Sequence, residues 1–255
     1  MNIINFTFKE IQDCYQFAHN MRGNHNPNMI MNREDWEIFR DDFRGKLGEV
    51  AVRKYIQVYM PEATIDTDLD FTVTPRGQWD ITDLVVNGHA INVKSIKQHS
   101  KFLLVEIDRY DQYGNYRYNN NDGQPVPIDY YVLVRVTVDP DVSKSIFKIK
   151  TLNDFINKAW DAKGRKEVNR NIYAEILGGI SHVEFWNRKN FAPKGIKCTV
   201  KNLSAIANGK SIEDLPDNVI GSEFKNQILQ RNNYIISSEN QLHKLIDILK
   251  KNDGI

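Results

Sequence analysis

The dipeptide Asn87-Gly88, set between the β-rich runs WDITDLVV and HAINVKSIK, constrains this chain more than any other feature. Asn-Gly accepts the positive φ angles of a tight hairpin, so the two runs are expected to pair antiparallel across residues 79–95. Before them, EDWEIFRDDFRGKLGEVAVRKYIQVYM places Trp36, Phe39, Phe43, Leu47, Val50 and Tyr55 at helical spacing, and the helix is expected to stop before Pro61. After them, FLLVEIDRY and DYYVLVRVTV read as strands, separated by the polar, turn-rich YDQYGNYRYNNNDGQPVP, expected to be a surface excursion. TLNDFINKAWDAKG reads as a short helix ending at Gly164. The tail SSENQLHKLIDILKKNDG reads as an amphipathic helix with a capping box of Ser238 and Gln241 and a stripe of Leu242, Leu245, Ile246 and Leu249. A long helix followed by strands and then mixed elements implies an α/β or α+β class, with a mixed central sheet flanked by helices.

Composition narrows the function classes. A chain of 255 residues with 41% hydrophobic content can bury a sizeable core, and no Gly/Ser-rich or Pro-rich stretch divides it. A formal net charge of +1 confines any nucleic-acid footprint to local clusters. Cys14 and Cys198 form no CxxC, which argues against a disulfide framework or a structural zinc site. The N-terminus lacks a signal-peptide pattern, and no apolar run reaches about 18 residues, so a cytoplasmic protein without a membrane partner is expected.

Charge inside the apolar strands points to chemistry. Asp80 opens one strand and Lys94 closes the next, and a lone buried charge is costly without a partner. Together, WDITDLVVNGHAINVKS and the upstream RGKLGEVAV resemble the PD-(D/E)xK nuclease superfamily, which has an Asp at a strand head, a short hairpin, then an acidic residue, any residue and Lys. The resemblance covers roughly residues 44–95 and implies a restriction-endonuclease-like sheet. By the same resemblance, Glu49 and Asp80 are metal ligands, the Val93 carbonyl a further ligand and Lys94 the catalytic lysine. Asn92 stands where the superfamily has Asp or Glu; its amide oxygen can coordinate a cation but brings no charge.

The implied activity is Mg²⁺-dependent hydrolysis of DNA phosphodiesters, with a type II restriction endonuclease acting on double-stranded DNA as the leading expectation. A junction resolvase or repair nuclease, or a DNA-binding protein whose site is impaired by Asn92, are the alternatives. Cleavage of both strands implies a homodimer. One domain over residues 1–255 is expected, with a nuclease core at 34–140 and an accessory, DNA-contacting part at 141–255.

Hairpin register decides which aspartate joins the site. A two-residue turn would pair Asp83 with Asn92 and turn Asp80 away from Lys94, because side chains alternate with period two. A three-residue loop with a bulge would bring Asp80 in, and that form is expected here, with Asp83 in reserve. DNA contacts are expected from WNRKNFAPKGIKCTVK, through Arg188, Lys189, Lys194 and Lys197, and from Arg109 and Arg117 of the aromatic insert. The alternating Asp66, Asp68 and Asp70 suit a solvated strand face, and the six histidines show no metal-binding spacing. Gly45 and Gly48 weaken a helix, which suggests that something approaches it closely.

Overall fold

A computed structural model describes residues 3–21, 34–71, 82–111, 113, 115, 126–139, 172–215, 229, 232–238 and 242–253. Chain order runs β1 (Ile3–Asn5), α1 (Phe8–Asn20), α2 (Asp35–Tyr59), β2 (Leu84–Val86), β3 (His89–Ile96), β4 (Phe102–Glu106), β5 (Tyr130–Val138) and β6 (Ile172–Ser181). It continues with α3 (His182–Arg188), β7 (Asn190–Ala192), α4 (Val200–Ala207), β8 (Asn233–Ser237) and α5 (Leu245–Asp253). The fold is mixed α+β. Five strands form one sheet in the order β1-β6-β5-β3-β2, and β4-β8-β7 form a second. Among the described strands only β3 and β5 run parallel; every other pair is antiparallel.

The hairpin turn differs from the expected bulged form. Leu84 pairs with Ile91, Val85 with Ala90 and Val86 with His89, which leaves Asn87 and Gly88 as a two-residue loop. Both have positive φ, 49° and 78°, the backbone whose twist matches that of paired strands. Upstream residues clasp this turn: Asp66 Oδ2 accepts the Gly88 N–H at 2.7 Å, and Asn87 Oδ1 accepts the Thr64 N–H at 2.7 Å. Asp66, Asp68 and Asp70 therefore do not form a strand face. Asp68 pairs with Arg53 at 3.1 Å, and the Asp70 carbonyl accepts from Lys46 at 2.8 Å.

Strand β5 is buried on both faces, as a run such as YYVLVRVTV requires. Its Val132, Val134 and Val136 join Val93, α1 (Ile11, Tyr15), α2 (Phe39, Phe43, Leu47) and α5 in the main core. Tyr131 and Leu133 point the other way, into a cluster with Leu103, Val105 and Ile236 of the second sheet and Phe185 of α3. The second sheet covers its far side with Leu203 and Ile206 of α4. Helix α2 is 25 residues long and ends, as expected, just before Pro61.

Two other expectations need correction. A split into a core of 34–140 and an accessory part of 141–255 does not follow the sheets: β6 lies inside the large sheet, and β4 belongs to the second. The tail helix Leu245–Asp253 is not continuous from Ser238, because His243 exchanges two 2.9 Å backbone hydrogen bonds with Gly179; Gln241 of the expected capping box lies outside the described residues. A Cβ on Gly178 would meet the His243 carbonyl oxygen at 2.6 Å, so the glycine gives the tail its seat. The expected helix of 151–164 and most of the aromatic insert lie outside the described residues. No helix among the described residues is long and apolar enough to cross a membrane.

Candidate active site

The site begins where β2 stops. Continuing the register of the hairpin by one residue sets Asp83 opposite Asn92. There the side chain takes over from the ladder: Asp83 Oδ2 accepts the Val93 N–H at 2.6 Å, a bond that a longer β2 would have made through its backbone. The residue is half-buried. Burial pushes that carboxyl above its ordinary range, and the Lys94 ammonium, the Val93 N–H and Lys46 pull it back.

Alternation along β3 sorts its side chains. Val93 packs into the core beneath α2, while Asn92 and Lys94 lie beside Tyr131 and Leu133 of β5 on the opposite face. Lys94 is half-buried and has no ion-pair partner among the described residues. Asn92 is 6% exposed, and its buried Oδ1 has no hydrogen-bond partner among the described residues. An acceptor left so costs about 1–3 kcal/mol, unless something else comes to it.

Helix α2 reaches this strand through Gly48. A Cβ there would lie 1.9 Å from Ser95 Oγ, so the expected close approach is real, and β3 makes it. Gly45 has nothing near it. The next residue, Glu49, is held by Lys46 one helical turn earlier, Nζ to Oε2 at 2.6 Å. Lys46 also donates to the Asp70 carbonyl and lies 4.5 Å from the centre of the Phe17 ring. It is buried, an unusual place for lysine, and its charge reaches both Glu49 and Asp83.

The expected site residues divide between the two faces of β3. Glu49 lies on α2, which packs on the face that carries Val93 and Ser95, whereas Asn92 and Lys94 project from the opposite face. Asp80 lies outside the described residues, and the carboxylate placed beside Lys94 is Asp83. Lys46 escaped the sequence reading. Its signal was available, since a lysine three residues before a site glutamate shares its helix face. Among the described residues no three His, Cys, Asp or Glu side chains cluster as a metal site. The Asp83 carboxylate and Asn92 Oδ1, which has no partner among the described residues, face each other across the hairpin and are hard donors of the kind Mg²⁺ takes; Glu49 is a further carboxylate on α2.

Compared with known protein families, curated proteins and solved structures, the chain matches none.

The expected DNA-contacting residues differ in freedom. Arg188 pairs with Glu184 at 2.6 Å, and Arg109 with Glu106 at 3.3 Å. Lys189 donates to the Trp186 carbonyl and lies 4.4 Å and 4.7 Å from the centres of the Trp186 and Tyr234 rings. Burial lowers its pKa. Lys194 is exposed, Lys197 is half-buried, and Arg117 lies outside the described residues.

Proposed function

We propose that this chain is a Mg²⁺-dependent DNA endonuclease of the PD-(D/E)xK kind, cutting double-stranded DNA as a type II restriction enzyme, with Asp83 as the aspartate of its motif. One observation carries the reading: the half-buried Asp83 carboxylate lies beside Lys94 and opposite the buried Asn92, whose oxygen lacks a partner among the described residues. A strand interior rarely gathers such groups without a ligand for them. Glu49, on the helix packed against the same strand, adds the second carboxylate.

Asp83, Glu49, the Asn92 amide oxygen and the Val93 carbonyl would hold the ion. Mg²⁺ bound there supplies polarisation of the phosphoryl group and a more acidic water. The chain's own residues supply position and charge. Lys94, unpaired among the described residues, is available to a phosphate oxygen or to the attacking hydroxide as negative charge grows. Val93 anchors the strand between them in the core, so that Asn92 and Lys94 project together. Cleavage of both strands calls for a second copy of the chain.

A digest of phage DNA tests the reading. Discrete Mg²⁺-dependent fragments support a site-specific enzyme, and cutting confined to branched DNA supports a structure-selective nuclease. Binding without cutting supports the second reading that Asn92 favours, a DNA-binding protein with an impaired centre. Lys94→Ala should slow single-turnover cleavage by roughly 100-fold or more while leaving DNA affinity close to that of the parent. Equal cleavage by both forms would remove Lys94 from the mechanism.

A further inference from the structure

Lys46 is the group that the proposed chemistry does not use, and its setting is specific. Its ammonium is anchored three ways: 2.6 Å from Glu49 Oε2, 2.8 Å from the Asp70 carbonyl oxygen and 4.5 Å from the Phe17 ring centre. Only 5% of its side chain is exposed, and 15% of that of Glu49. A buried ammonium persists when a carboxylate and further acceptors compensate its lost hydration. Lys46 and a divalent cation therefore want the same carboxylate.

We propose that Lys46 is an internal competitor for the metal site, so that loading a divalent cation onto Glu49 requires the Lys46–Glu49 ion pair to loosen. The inference rests on the nuclease reading, because it takes Glu49 as a ligand. Glu49, Asp83, Lys46 and Lys94 together sum to zero charge. A divalent ion entering such a site meets no net attraction, and it meets direct repulsion from Lys46. A DNA phosphate brings the missing negative charge. The device would keep the free protein poorly loaded and make metal binding depend on substrate.

Calorimetry with Mn²⁺ and Ca²⁺ on the full chain, in the absence of DNA, reads this without turnover. Lys46→Met should bind either ion roughly tenfold more tightly than the parent, whereas Lys46→Arg, which keeps the charge, should stay near the parent. Unchanged or weaker binding by a folded Lys46→Met overturns the proposal. If that variant does not fold, the parent chain still decides. The Lys46 Nζ resonance should move during a Ca²⁺ titration with the midpoint of ion binding, and a resonance that stays fixed at saturation overturns the proposal. Asp83→Asn separates the two levels. Loss of ion binding in that variant, beside a parent whose Lys46 resonance stays fixed at ion saturation, defeats the competitor alone, whereas no ion binding by the parent, with or without DNA, defeats the metal site and the competitor with it.

Discussion

Replacing Asn92 with Asp tests the position where the proposed nuclease motif carries an amide in place of an acid. The side chain is 6% exposed and faces Asp83 across the hairpin, so the exchange adds a charge at nearly constant volume. Cross-strand partners have Cβ atoms about 5 Å apart. Two carboxylates at that separation repel by about 3 kcal/mol at an effective dielectric near 20. Lys94 and Lys46, whose charges already reach Asp83, offset part of this, which leaves a net cost of about 1–2 kcal/mol in the absence of metal. For a chain of this size that lowers Tm by about 3–6 °C. A divalent cation reverses the sign, because the new carboxylate becomes a ligand; Mg²⁺ affinity should rise about tenfold, and single-turnover cleavage should rise with it. DNA affinity without metal should change little or weaken slightly through added repulsion. The assays are melting in EDTA and single-turnover cleavage against Mg²⁺ concentration for both forms. Equal melting temperatures in EDTA would refute the cross-strand placement of Asp83 and Asn92. Cleavage that stays flat or falls at every Mg²⁺ concentration would mean that an amide is the adapted residue here.

Three further outcomes follow from the geometry. Burial raises the Asp83 carboxyl above its ordinary value of 3.8, so its contribution to stability is full below that value and is lost as pH rises through the folded-state value. Asp83→Asn should therefore flatten the acid-to-neutral stability curve in EDTA and match or exceed the parent's stability at pH 7, while abolishing metal-dependent cleavage; a steeper curve would refute the assignment. Gly48→Ala should lose about 1–3 kcal/mol by pressing against Ser95, and Ser95→Ala should restore part of it; denaturant melts of the single and double variants check the contact. Lys194→Ala should lower the salt slope of DNA binding by about one, whereas Lys189→Ala should mainly lower stability, because its ammonium is anchored to Trp186 and Tyr234. The reverse pattern in filter-binding and melting series would reassign the basic segment.

Local rules settled much of this protein. Helical spacing and Pro61 set helix α2, and Asn87-Gly88 set the hairpin, because each signal acts within a few residues. Glu49, Asn92, Val93 and Lys94 were legible as candidates through their order and spacing in the chain. Which aspartate faces Asn92 was not. That choice turned on whether the loop holds two residues or three, and residues 64–66, about 20 positions upstream, clasp the two-residue form. The same holds for the sheets, where β4 leaves its sequence neighbours to pair with β8, more than 100 residues away. Lys46 shows the limit most sharply. On a helix diagram it is one more charged side chain, yet packing of Phe17, Phe71 and the Asp70 carbonyl around it makes it a buried cation at the heart of the candidate site. Sequence fixes what a residue can do within its own turn or strand, whereas burial depends on which distant segments arrive to cover it, and burial decides what a charge costs and whom it must pair with.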